Sequence, residues 1–141
     1  MDVQVPVSLP VWDTDTLGFW EGAHNHQLMV KRCADCGYVI FPFTPLCRRC
    51  SSFNQDWVQS SGRGLIYTWT TVYLSTRPEF VKDIPYSLAA VELEDFPVRI
   101  PARLKGVEPG AVHIGARVEV RFEDLTPEVS LPYWIPAGGN I

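Results

Sequence analysis

The chain has 141 residues, 46% of them hydrophobic and 20% charged, an ordinary composition for one globular domain or a domain with a small appendage. Its net charge of −4 makes it a poor general binder of phosphate backbones, since such affinity rests on an excess of cations. No apolar run approaches the roughly 18 residues of a membrane span, and "MDVQVPVSLPVWDTDT" has neither a basic n-region nor a continuous apolar h-region, so the expected location is cytoplasmic.

The first expected element is a short helix. Asp13, Thr14 and Asp15 are cap-forming, and Leu17, Trp20 and Leu28 give an apolar stripe that Gly18 and Gly22 weaken. One to three turns should lead into a strand near Leu28 to Lys31. Trp20 is either a core residue or an anchor for a partner, with the core the plainer reading.

All four cysteines follow in "CADCGYVIFPFTPLCRRC": Cys33-x2-Cys36, ten intervening residues, then Cys47-x2-Cys50. Two matched pairs at this separation suit a tetrahedral zinc site with two thiolates from each knuckle. Gly37 supplies a residue tolerant of left-handed backbone in the first knuckle, while the second has Ser51 and Ser52 instead. The "YVIFPFTP" between them reads as a short hairpin over the site. Disulfides fit poorly with a reducing compartment, and a redox CxxC would be a single motif at a helix start. A knuckle that has lost its metal stays open as an alternative. Four protein thiolates would fill the coordination sphere of zinc, which makes the ion structural rather than catalytic.

Beyond Cys50 the pattern turns to strands. "GLIYTWTTVYL" (64–74) is aromatic and β-branched, and "YSLAAVELED" (86–95) is mostly apolar. In "VRIPARLKGV", Val98, Ile100, Ala102 and Leu104 alternate with polar residues or proline. "ARVEVRFED" places Val118, Val120 and Phe122 on one face, and "SLPYWIPA" (130–137) is a last strand. Five strands in about 75 residues with no long helix fit a small closed barrel, the OB-fold first among candidates. The expected division is an N-terminal arm and helix at 1–30, a zinc ribbon at 31–60, the barrel at 61–137 and a tail at 138–141. The connection "STRPEFVKDIP" lies where this fold often places a binding loop.

Enzyme motifs are missing: there is no G-x-S-x-G elbow, P-loop, G-x-G-x-x-G unit or H-E-x-x-H helix. If zinc takes every cysteine, no thiol is left as nucleophile. His24 and His26, two apart, point from different helix faces, and His113 reads as a turn residue. Glu92, Glu94 and Asp95 are expected to pair with arginines or to be solvated. No self-contained active site emerges.

Taken together, "FWEGAHNHQL", "RCADCGYVIFPFTPLCRRC", "SGRGLIYTWTTV", "IPYSLAAVEL" and "IGARVEVRFE" resemble the zinc-ribbon/OB-fold family catalogued as domain of unknown function thirty-five. The resemblance runs from about Leu17 to Pro136. It implies a mainly β protein: an N-terminal helix, a rubredoxin-like zinc ribbon and a five-stranded OB-fold barrel.

It further implies a non-catalytic accessory subunit of a thiolase-superfamily complex, a thiolase or retro-aldolase acting on acyl-CoA, of which benzoylsuccinyl-CoA thiolase is one kind. The partner would bring the nucleophile and base, and acyl-CoA would lie at or near the interface. On that reading Lys31, Arg32, Arg48, Arg49 and Arg63 are candidates for CoA phosphates. Their plainer role is solvation or pairing with acids such as Asp35 and Asp56. Trp20, Phe41, Phe43, Trp69 and Tyr73 are candidates for a partner surface or acyl channel, with aromatic core again plainer. The rivals are a nucleic-acid-binding module, a stand-alone acyl-CoA carrier or hydrolase, and a scaffold that never touches CoA.

Overall fold

The computed structural model describes residues 8–139. Residues 1–7 of the expected arm and 140–141 of the expected tail lie outside the described residues. Helix α1 covers Leu17–His24. The expected cap is displaced: Asp13 Oδ1 accepts the Asp15 and Thr16 amides at 3.0 and 3.1 Å, closing a turn before the helix, and the N-cap is Thr16 without a side-chain cap bond. Gly18, a weak helix former by propensity, sits against the Trp57 indole, where a Cβ would collide with the ring. Close packing outweighs helix propensity here.

A three-stranded antiparallel sheet follows, ordered β2-β1-β3, from β1 Met29–Cys33, β2 Val39–Ile40 and β3 Gln55–Gln59. The segment "YVIFPFTP" is not a hairpin in itself. Only Val39 and Ile40 pair, and they pair backwards onto β1 at Arg32 and Lys31. The chain beyond them is irregular, because two prolines remove ladder donors within four residues.

The second half is a closed barrel of β4 Arg63–Val72, β5 Tyr86–Leu93, β6 Arg99–Leu104, β7 Arg117–Asp124 and β8 Ser130–Pro136. The strands run β4-β5-β6-β8-β7 and return to β4, with the β6–β8 pair parallel and the others antiparallel. A parallel contact between the third and fifth strands of a five-stranded Greek-key barrel is OB-fold topology. The connection between β4 and β5 carries a four-residue helix, α2 Pro78–Val81, that the sequence reading did not anticipate.

Ile66, Val91, Ile100, Val118 and Trp134 are at most 2% exposed and fill the barrel, and the Trp134 indole donates to the Ile100 carbonyl at 3.2 Å. Removing any one aliphatic side chain here would cost about 2–5 kcal/mol. Leu28 and Val30 belong to the same cluster, so ribbon and barrel share one core. Polar bonds at the joint reinforce it. Asp95 accepts the Ser60 hydroxyl at 2.9 Å and the Ser61 amide at 2.7 Å, and the Gly62 amide donates to Ser60 Oγ at 3.1 Å.

Candidate metal centre and flanking surfaces

The two knuckles have the same backbone bonding. In the first, the Cys33 amide donates to the Tyr38 carbonyl at 2.8 Å and the Gly37 amide to the Cys33 carbonyl at 3.0 Å. In the second, Cys47 donates to Ser52 and Ser51 to Cys47, both at 2.9 Å. Each loop needs one left-handed residue. Gly37 (φ 77°) fills that place in the first and Ser51 (φ 64°) in the second, so the serine adopts a conformation that a Cβ disfavours. Asp35 links the loops, accepting from the Ser52 hydroxyl and from Asn54 Nδ2.

The four sulfur atoms lie within 4.8 Å of one another. Cys33 and Cys50 are separated by 3.5 Å and Cys36 and Cys47 by 3.6 Å. These separations are far beyond a disulfide bond of about 2.05 Å. They approach the roughly 3.8 Å edge of a tetrahedron built on zinc–sulfur bonds of about 2.3 Å. The thiols also show why a cation belongs here. The Tyr38 amide beside Cys36 pulls its thiol down to about 6, against a burial effect in the other direction. Cys50 receives a similar lowering bond from the Ser52 amide, yet Cys33, burial and the other sulfurs push it up to about 12. One thiolate forms readily and suppresses the next; a divalent cation removes that conflict. Ile40, fully buried, packs with Cys33, Cys36 and Cys47 and covers that side of the cluster, while Cys50 is exposed.

The sequence-derived cations do not form one cluster. Lys31 is 6% exposed, donates to the Asp15 carbonyl at 3.1 Å and lies over the Trp57 ring, so its charge is committed inside the fold. Arg32 and Arg48 are exposed. Arg63 pairs loosely with Glu94 at 3.7 Å, at the joint. Arg49 bonds the Cys36 carbonyl and lies over the Tyr38 ring. Asp35 takes serine and asparagine donors rather than an arginine.

Arg49 lines a groove of about 640 Å³ between ribbon and barrel, together with Tyr38, Phe41, Val98 and Arg99. Arg99 was not among the sequence candidates. It pairs with Glu92 at 3.0 Å and stacks 3.5 Å from the Tyr67 ring centroid, a juxtaposition across strands that only the barrel register reveals.

The aromatic candidates divide as well. Phe41 and Trp69 pack on the main core. Phe43 sits among Phe19, Phe41 and Trp57 at ring separations of 4.9–5.4 Å. Tyr73 is 69% exposed, and Trp20 is half-buried at the edge of a separate groove beside α1. Among the histidines, His24 and His113 are exposed, and His26 pairs with Asp124.

A short helix, a four-cysteine ribbon and a five-stranded OB barrel on one shared core define a zinc-ribbon/OB-fold protein. Family models described as "ChsH2, rubredoxin-like zinc ribbon domain" and "ChsH2, C-terminal OB-fold domain" match residues 20–55 and 57–123. A DUF35 domain-containing scaffold protein of Methanocaldococcus jannaschii is 37% identical over 72% of this chain and 71% of its own length. A probable enoyl-CoA hydratase alpha subunit of Thermomonospora curvata is 32% identical over 91% of this chain, which spans 39% of that protein. The solved structure of an Ltp2-ChsH2(DUF35) aldolase contains a chain with a TM-score of 0.82 and 31% identity, covering 90% of this chain and 98% of that one.

The chain therefore belongs to the DUF35 family, whose ChsH2-type members pair this ribbon with this barrel. Its metal is a structural zinc ion, for which Cys33, Cys36, Cys47 and Cys50 form the donor set. No helix among the described residues is long and apolar enough to cross a membrane.

Proposed function

We propose that this chain is the non-catalytic accessory subunit of a thiolase-superfamily complex acting on acyl-CoA, with thiolase or retro-aldolase chemistry carried out by its partner. The observation that carries this reading is the likeness, over almost all of that chain, to the ChsH2 component of a two-protein aldolase. All four cysteines are gathered at the zinc centre, and His26 is paired with the Asp124 carboxylate. The zinc ion holds the two knuckles together. The residues around them present the surface.

On this proposal acyl-CoA reaches the groove between ribbon and barrel. Arg49 and Arg99 supply cations for phosphate oxygens, and Phe41 and Val98 supply an apolar wall for the pantetheine arm. Because Arg49 stands within the second knuckle and bonds the first, the zinc centre sets its position. Lys31 falls out of the phosphate set because it is 6% exposed and held inside the fold, whereas Arg49 and Arg99 are exposed despite their internal partners.

Reconstitution tests the reading. The purified chain should turn over no acyl-CoA thioester by itself, and it should raise the turnover of its partner when the two are combined. Turnover by the chain alone would overturn the accessory role.

A further inference from the structure

A second groove, of about 420 Å³, lies away from the zinc centre, between α1 and the turn joining β7 to β8. Its apolar wall is Trp12, Leu17 and Trp20. Trp12 and Leu17 remain 39% and 38% exposed, large apolar side chains kept open to water. Its polar residues are Glu21, His24, Asn25 and Glu128, and among the described residues no lysine or arginine lines it. Neither carboxylate has an ion-pair partner among the described residues. The groove thus sets two indoles and Leu17 beside two carboxylates without ion-pair partners, with His24 and Asn25 at the same edge of α1.

An aliphatic side chain of a partner would cover the indoles but bring apolar surface against the two carboxylates. A long basic side chain meets both demands, its methylene stem lying on Leu17 and the rings and its head reaching the carboxylates. Arginine fits better than lysine, because the planar guanidinium stacks on aromatic faces and donates in a fork. The net charge of −4 favours a basic opposing surface in the same sense.

We infer that the Trp12–Trp20 groove is a docking site for a basic side chain, an arginine above all, presented by the partner subunit. This rests on the accessory-subunit reading for the identity of the occupant, while the chemistry of the groove can be tested without the partner.

The test is a titration of the full-length zinc-loaded chain with N-acetyl-arginine amide, using N-acetyl-citrulline amide as the neutral isostere, followed through the five tryptophan indole N–H resonances. Trp12→Phe and Trp20→Phe assign two of them. The expected result is that the Trp12 and Trp20 signals move with the arginine probe while Trp57 and Trp134 do not, that citrulline moves them at least threefold less, and that Glu21→Gln with Glu128→Gln removes the difference. Equal shifts with both probes, or none at these two indoles, would overturn the docking site. A separate readout keeps the two proposals apart. If the native partner co-purifies equally with wild type and with the double glutamine variant, the groove assignment fails and the subunit reading stands. If no partner is retained by either, the subunit reading fails, and the titration alone decides the groove.

Discussion

His26 Nε2 lies 2.8 Å from Asp124 Oδ1, and the imidazole stacks on Phe122 with ring centroids 5.5 Å apart. One residue belongs to the turn after α1 and the other to the end of β7, so the contact fastens the helix-to-ribbon turn onto the barrel. His26 holds a left-handed backbone (φ 57°) to reach it.

That contact gives the barrel an acid-sensitive fastening. The Ser130 hydroxyl and then His26 hold the Asp124 carboxyl below its ordinary value of 3.8. A carboxylate with a lowered folded value stabilises the fold above its unfolded pKa and loses that contribution as pH falls through the folded one. The stability gap between wild type and Asp124→Asn should thus be complete at about pH 5 and shrink below 3.8, as read from urea midpoints across pH.

The zinc centre should govern more than the ribbon. Val30 lies on the same strand as Cys33, and Leu28 just before it, yet both belong to the barrel core, so loss of the metal should loosen both halves. Cys33→Ala or Cys47→Ala should lower zinc content from one ion per chain to about none and expose the ribbon to protease, with loss of partner assembly. A zinc-free, folded variant that still assembles would contradict this.

Ser51 is where the second knuckle departs from the first. Replacing it with glycine removes the Cβ from a left-handed position, and Ser51→Gly should stabilise the ribbon by about 0.5–1 kcal/mol. The matched change in the other loop, Gly37→Ser, should destabilise it by a similar amount. Thermal midpoints of the zinc-loaded variants report both.

The ribbon–barrel joint depends on Asp95. Its two oxygens accept from Ser60 and Ser61, and Asp95→Ala should cost about 1–2 kcal/mol, discounted because the carboxylate is exposed. Ser60, 4% exposed, would lose its acceptor, so the denaturant midpoint should fall with the slope unchanged.

The parts legible from sequence were those with a strong local signal. Cysteine spacing identified the metal centre, and alternation in "ARVEVRFED" marked β7 with Val118 buried and Arg117 exposed. The third ribbon strand, "QDWVQ", carried no such signal because neither of its faces is fully buried. The cations were harder. Lys31 looks like the other basic residues around the ribbon, but its pairing with Asp15, sixteen residues upstream, and its place over the Trp57 ring take it out of solvent. Arg99 escaped notice for the opposite reason, since its place beside Tyr67 depends on strand register rather than on neighbours in the chain. Trp20, for which the core was the plainer reading, is half-buried on α1 itself, at the groove facing the β7–β8 turn.

The most direct test of the accessory-subunit account is native mass spectrometry of the tagged chain purified from its own host, with the retained polypeptides sequenced. The expected result is a stoichiometric complex with an acyl-CoA-processing enzyme of the thiolase superfamily, one zinc ion bound per copy of this chain. A free monomer, or a chain recovered with nucleic acid and no enzyme, would contradict it.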